Sequence, residues 1–254
     1  MELQGMRACR KERRMFKDIA EINAANLMKN AYPGRGIVLG ATQDGTRLAQ
    51  IYWIMGRSQN SRNRVFQEES GFVRTKAFDE SKLTDPSLII YYPVKHYKDF
   101  HVVSNGDQTD TVMEFVKAGR TWNDALMTRE FEPDAPNFTP RITGVIDLKA
   151  QWAYALSILK SQDGDGRHCL RHFYYYEKPV PGYGHCIHTY KGDGSPLPSF
   201  AGEPYLMPVP GDASEACRYY WSLLNEENRI SLLAKYIDIK TGEFEICIIN
   251  RHGA

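Results

Sequence analysis

The sequence predicts an α+β fold of antiparallel strands with few helices. Three observations carry this. Alternating apolar runs recur between Gly and Asp turn signals, helical periodicity is confined to a few segments, and strands follow one another instead of alternating with helices as βαβ units would require. The chain has 254 residues, 42% of them hydrophobic and 25% charged, which suits a globular protein of one large or two small domains. No segment divides it convincingly, so residues 32–254 read as one domain preceded by an N-terminal helical extension over 1–31.

Taken in order, Phe16, Ile19, Ile22, Ala25 and Leu27 approximate helical spacing, which predicts a helix from about Lys17 to Lys29. The preceding RKERR reads as a solvated charge run. GRGIVLGAT-QDG-TRLAQIYWIMG predicts a β-hairpin turning at Asp44-Gly45, with both faces of the first strand covered. VFQEESGFVRTKA predicts a second hairpin centred near Gly71. SLIIYYPVK and DFHVVSNG are two further strands. Helices follow from about Gln108 and along WNDALMTREF, the latter capped by Thr121 or Asn123. RITGVIDLKAQWAYALSILKS and GRHCLRHFYYYEKPV each read as paired strands, and 179–210, rich in Gly and Pro, as loop. GDASEACRYYWSLLNEENRISLLAKYIDI supplies a helix capped at Asp212 or Ser214, and EFEICIINR closes the chain as a strand.

Composition excludes several functions. A net charge of +1 gives no global attraction to nucleic acid or to a membrane surface, so any anion recognition must be local. Five scattered cysteines and no apolar leader or long apolar run point to a reduced, cytoplasmic protein. No Gly-x-Ser-x-Gly elbow or His-Glu-x-x-His occurs, so nothing marks a serine hydrolase or a zincin.

Local anion recognition has a candidate. Arg35 precedes the first strand, and GRSQNSRNR places Arg57, Arg62 and Arg64, with Asn63, at the end of the second. In a hairpin these two ends are neighbours, so four arginines converge, either as an anion site or as a solvated, salt-bridged base. Guanidinium groups suit phosphate and carboxylate geometry and stay charged at any working pH. VVSNGDQTDT offers a strand end, hydroxyls and free N–H groups at Ser104, Asn105, Thr109 and Asp110, though it is no P-loop and a tight turn also explains it. In FEPDAPNFTPRI, prolines stiffen a segment carrying Glu132 and Asp134, with Arg141 after it: a positioned acid or base, or an ordinary acidic loop. His168, Cys169, His172, His185, Cys186 and His188 match no standard zinc spacing and lie in strand-like segments that split neighbours between faces, so they read as wall residues.

Together YPGRGIVLGATQDG, GRSQNSRNR, DPSLIIYY, VVSNGDQTDT and FEPDAPNFTPRI, in this order and spacing, resemble the archaeal-type IMP cyclohydrolase family. The resemblance covers about residues 32–150 well and the remainder loosely. It implies a four-layered αββα sandwich of the N-terminal-nucleophile hydrolase type, closure of the purine ring of 5-formamidoimidazole-4-carboxamide ribonucleotide to IMP and water, and neither metal nor organic cofactor. It implies Arg64, Tyr91 and Glu132 as the catalytic group, with Tyr91 preferred to Tyr92. Substrate binding then falls to Arg35, Arg57, Asn63, Ser104, Asn105, Thr109, Asp110 and Arg141, of which Arg35, Arg57, Ser104, Asn105 and Thr109 are candidates for the 5′-phosphate and Arg141 serves either the phosphate or Glu132. The sequence departs from the family in about thirty residues before the Tyr-x-Gly-Arg motif and in an expanded 160–210 region. Alternatives are a non-catalytic purine-nucleotide binder, or an amidohydrolase on the same fold. The latter would need a nucleophile at the head of the first strand, where none stands; Cys9 is the one cysteine near that end. A homo-oligomer is possible.

Overall fold

The opening hairpin sets the frame of the fold. In the computed structural model, which describes the backbone of residues 2–253 and side chains from residue 14 onward, β1 (Gly36–Ala41) and β2 (Arg47–Met55) pair antiparallel from Gly36↔Trp53 to Ala41↔Leu48. Asp44 closes the turn. Its carboxylate accepts from the Thr42 hydroxyl at 2.5 Å and from the Thr46 hydroxyl at 2.9 Å, while Gly45 takes φ 69°. The helix before it, α1 (Glu2–Lys29), is longer than the periodicity predicts. Cys9 and most of the RKERR run lie outside the described side chains.

Downstream come α2 (Gln59–Arg62), β3 (Arg64–Glu69), β4 (Phe72–Ala77), β5 (Val94–Tyr97) and β6 (Phe100–Ser104). The first correction falls here: residues 85–92 form no strand. Ile89 and Ile90 N–H both return to Pro86 O in a turn, and Thr75 alone clamps Tyr91, accepting its N–H at 2.8 Å. Helices α3 (Gln108–Lys117) and α4 (Trp122–Met127) follow, the second opened by a reciprocal capping box between Thr121 and Asp124. Then come β7 (Arg141–Asp147), β8 (Tyr154–Gln162) and β9 (Asp165–Tyr176). GRHCLRHFYYY is thus one long strand laid along β8, not a pair.

The segment expected to be loop contains β10 (Tyr183–His188) and β11 (Tyr205–Pro208). Helix α5 (Ala213–Leu223), capped by Asp212, gives way at an Asn225 turn to β12 (Arg229–Asp238) and β13 (Phe244–Asn250). The run RISLLAKYID is therefore a strand, and it fills the gap beside β2.

Two antiparallel sheets result, ordered β11-β10-β1-β2-β12-β13 and β3-β4-β5-β6-β7-β8-β9. Alternation sorts each strand's side chains between faces. Ile37, Leu39, Tyr52 and Leu233 of the first sheet meet Phe66, Val103, Ile142 and Tyr154 of the second in one buried layer. Trp53, Val38 and Leu232 face the other way, against Leu27 of α1 and Tyr220 of α5. Val102 and Val145 pack beneath Val112 of α3 and Leu126 of α4. Among the described residues no helix is long and apolar enough to cross a membrane.

Candidate active site

One end of the inter-sheet layer opens into a cavity of about 300 Å³ lined by Arg35, Arg57, Arg64, Glu132 and Tyr190 among others. The head of β1 is fixed there by close backbone contacts. The Arg35 N–H donates to Thr189 Oγ1 at 3.1 Å and its carbonyl accepts the Thr189 N–H at 2.9 Å. On either side of Arg35 only glycine fits. Gly34 holds φ 76°, and a Cβ there would stand 2.2 Å from Thr189 Oγ1; a Cβ on Gly36 would stand 2.0 Å from the Trp53 ring.

From this anchored position the Arg35 guanidinium reaches Glu132 Oε1 at 2.8 Å. Glu132 is 3% exposed, and its N–H donates to Thr139 O. Burial pushes the Glu132 carboxyl above its ordinary range, against the opposing pull of Arg35 and Arg141. Burial acts most strongly against the Arg35 charge, but Glu132 together with Tyr190, Tyr91 and Tyr52 outweighs it and holds the guanidinium well above its usual value.

Arg64 opens β3 and turns inward, 1% exposed. Its Nε donates to Ser61 O at 2.8 Å and Nη2 to Met55 O at 3.2 Å, while Nη1 has no partner among the described residues. A guanidinium held by two carbonyls and no carboxylate keeps its positive charge uncompensated. Burial lowers its pKa, the Tyr91 phenol opposes this, and nearby Arg35 adds to the lowering. Tyr91 Oη lies 2.7 Å from Tyr52 Oη. Burial raises the Tyr91 pKa while Arg35 and Arg64 pull it down. The Thr75 clamp fixes the face: Tyr92 instead lies beneath Lys95, its ring centroid 4.4 Å from Nζ.

Two tyrosines complete the wall, Tyr32 at the head of the Tyr-x-Gly-Arg motif and Tyr190, which no motif singled out. Tyr190 Oη is 2.5 Å from Thr139 Oγ1, which in turn donates to Asp134. The Tyr190 ring stacks on Tyr32 at 5.9 Å, and the Arg57 guanidinium sits 4.9 Å over Tyr32. Tyr190 belongs to the segment expected to be loop; the alternation in GHCIHTY was its available signal. Arg57 is half exposed at the rim and pairs with Asp193.

Other expected positions are not brought into this cavity. Arg62 turns back to Gly56 O and Asn228, so three of the four arginines converge, not four. Asn63 exchanges side-chain-to-backbone bonds of 2.8 Å with Asp79, pinning the two ends of the β3–β4 excursion. Ser104, Asn105 and Thr109 are wholly buried within their own turn: the Ser104 and Thr109 hydroxyls bond each other, and Asn105 bridges Pro140 O and the Ile142 N–H. Asp110 pairs with Lys95. Arg141 is held by Asp107 at 2.7 Å and Gln108 at 2.8 Å, and meets Glu132 through its charge alone. VVSNGDQTDT is therefore a self-satisfied strand-to-helix turn, its polar groups spent on one another. His185 stacks on Tyr176 at 3.9 Å and His188 binds Tyr190 O at 2.7 Å, while His168 lies exposed on β9.

Comparison with known proteins follows the same outline. The model of a family described as "IMP cyclohydrolase-like protein" matches residues 32–242. Relatives named IMP cyclohydrolase include one from Methanopyrus kandleri, 29% identical over 53% of this chain and 72% of its own length. A second, from Methanothrix thermoacetophila, is 30% identical over 53% of this chain and 70% of its own. A third, from Methanococcus maripaludis, is 34% identical over 45% and 58% respectively. The matched span takes in every residue of the cavity and leaves α1 outside it.

Proposed function

The chain belongs to the IMP cyclohydrolase-like family, and from that premise we propose that it is an IMP cyclohydrolase, converting 5-formamidoimidazole-4-carboxamide ribonucleotide to IMP and water. The observation that carries the reading is the uncompensated Arg64 guanidinium, set in one cavity with Arg35 and Glu132 and close enough to the buried Tyr91 phenol for their charges to interact. Ring closure calls for a site that stabilises a developing alkoxide and moves two protons to the departing oxygen, with no covalent nucleophile, because both reacting groups already sit on one ring.

The carboxamide nitrogen attacks the formyl carbon. Glu132 takes the nitrogen's proton, directly or through water, and its raised pKa suits a base that must later release that proton. Negative charge gathers on the formyl oxygen, where the free Nη1 of Arg64 donates; one such donor is worth about 3 kcal/mol in the transition state. Tyr91 orients the formyl oxygen and passes it the proton that Glu132 took, which gives a hydroxyl on the new ring carbon and regenerates Glu132. Glu132 then takes the formamido N–H proton as the ring C=N double bond forms, and Tyr91 relays this second proton to the hydroxyl, which leaves as water. Arg35 holds Glu132 in place, so the 5′-phosphate falls to Arg57 at the rim with the hydroxyls of Ser58 and Ser61 beside it. Tyr190 and Tyr32 offer flat walls to the base.

Helices on both outer faces of paired antiparallel sheets support reading the fold as the αββα sandwich of the N-terminal-nucleophile hydrolases. We read residues 32–254 as its single domain and 1–31 as an extension, in a cytoplasmic enzyme.

The test is IMP formation by the purified protein in EDTA, beside Glu132→Gln. Turnover by the wild type and a loss of at least about 10²-fold in the variant are expected for a general base. Turnover by both would remove Glu132 from the mechanism. IMP binding without turnover by either would leave a nucleotide-binding protein.

A further inference from the structure

One inward-facing step along β2 from Tyr52, a second polar group interrupts the apolar layer between the sheets. Gln50 of β2 and Lys235 of β12 are register partners. Across the gap stand His101 of β6 and His96 of β5, themselves paired and with rings stacked at 5.6 Å. The Gln50 amide donates to His101 O at 3.3 Å. Phe244 of β13 touches all three bases: its ring centroid lies 3.7 Å from Lys235 Nζ, 4.9 Å from the His96 ring and 5.8 Å from that of His101.

Lys235 and Gln50 are 0% exposed and His101 is 1% exposed. Among the described residues, Lys235 Nζ, both His101 ring nitrogens, His96 Nδ1 and Gln50 Oε1 lack a hydrogen-bond partner. Buried polar groups in folded proteins are otherwise nearly always paired, so four such side chains meeting at one point call for a ligand. Among the described residues no carboxylate faces them. Glu68 stands at the mouth of an adjoining cavity of about 390 Å³, its Oε1 taken by the Gly71 N–H. Glu245 pairs with Arg47 on the far face of the first sheet, and Lys95 with Asp110 on the far face of the second. His96 and Phe244, the rings that cover Lys235 and His101, also line that cavity.

We propose that Lys235, His101 and His96 form a binding site for a small monovalent anion such as chloride, reached through the cavity that His96 and Phe244 line. The Lys235 ammonium, with no acid facing it among the described residues, makes the electrostatics favourable, the neutral imidazoles add N–H donors, and Glu68 at the mouth disfavours anions of higher charge. The site does not depend on the cyclohydrolase reading. Burial brings Lys235 down to about 7, and burial together with the Lys235 charge brings His101 to about 3. The anion therefore binds the ammonium form. Its affinity is level below about pH 7 and falls about tenfold per pH unit above, with a proton taken up on binding there.

The experiment is thermal unfolding of the full chain in sodium chloride and in sodium gluconate at matched ionic strength, at pH 6.5 and 8.5. Chloride, but not the bulkier gluconate, is expected to raise the midpoint at pH 6.5, with an apparent affinity about tenfold or more weaker at pH 8.5. Lys235→Met should fold and lose the chloride-specific shift. Should that variant not fold, wild-type crystals soaked in bromide decide, with anomalous density expected beside Lys235 Nζ. Equal shifts in the two salts, a chloride shift surviving in Lys235→Met, or no bromide at the cluster would overturn the site.

Discussion

Arg35 and Glu132, ninety-seven positions apart in the chain, are joined by a 2.8 Å ion pair with both side chains nearly dry. Removing one partner of such a pair strands a charge in a poor dielectric, whereas replacing both removes the problem. Arg35→Met should therefore destabilise the fold by about 3 kcal/mol. Arg35→Met combined with Glu132→Leu should recover a large part of that loss. A urea-unfolding double-mutant cycle checks this, and additive losses would mean that the pair contributes nothing as a unit.

Arg64 is anchored by carbonyls on two of its three nitrogens, and the third has no partner among the described residues. Arg64→Lys keeps a charge but not that fork, and kcat should fall by about 10²- to 10³-fold with little change in KM. A change confined to KM would move Arg64 from the reacting oxygen to ground-state binding.

Tyr91 and Tyr92 are adjacent yet face opposite ways. Tyr91→Phe should cost about 10²-fold in kcat, while Tyr92→Phe, altering a ring beside Lys95, should leave turnover unchanged. Equal effects in steady-state assays would discard the proton-transfer role.

The raised carboxyl of Glu132 sets a pH dependence. As a base it works only when ionised, so kcat/KM should rise with pH along a limb centred above the ordinary carboxylate range. Stability runs the other way. The native state keeps this proton to higher pH than the unfolded chain does, so the contribution of Glu132 falls as pH rises from the unfolded value toward the folded one. Paired pH profiles of turnover and of denaturant midpoint test both signs.

Gly36 lies flat against Trp53. Gly36→Ala drives a methyl into the indole and should cost about 1–3 kcal/mol by overpacking. It should also lower activity, since Arg35 precedes it. A crystal structure with an undisturbed Trp53 would contradict this.

The hairpin, the Thr121 cap and the ordered arginines were legible because their signals are local: alternation, a side chain three residues from its N–H, a motif. The start of SLIIYYPVK misled because an apolar run states that it is buried, not that it is extended, and here one threonine takes the place of a whole ladder partner. RISLLAKYID lay hidden behind α5 because only the Asn225 turn separates two apolar stretches. Ser104, Asn105 and Thr109 had the right chemistry for an anion, but the fold turned their polar atoms on one another. Tyr190 escaped because its partners, Thr139 and Tyr32, are distant in sequence. The Lys235 cluster escaped for the same reason, since its members come from four strands.

The strand order also governs when the cavity can exist. Arg35 is pinned by Thr189, and β2, whose last residue Met55 receives Arg64, has its outer edge covered by β12, which begins at Arg229. Such distant pairings slow folding, toward milliseconds to about seconds for sheet-dominated topologies. During synthesis, the outer edge of β2, Arg47–Met55, must therefore wait unpaired until the chain beyond Arg229 has left the ribosome.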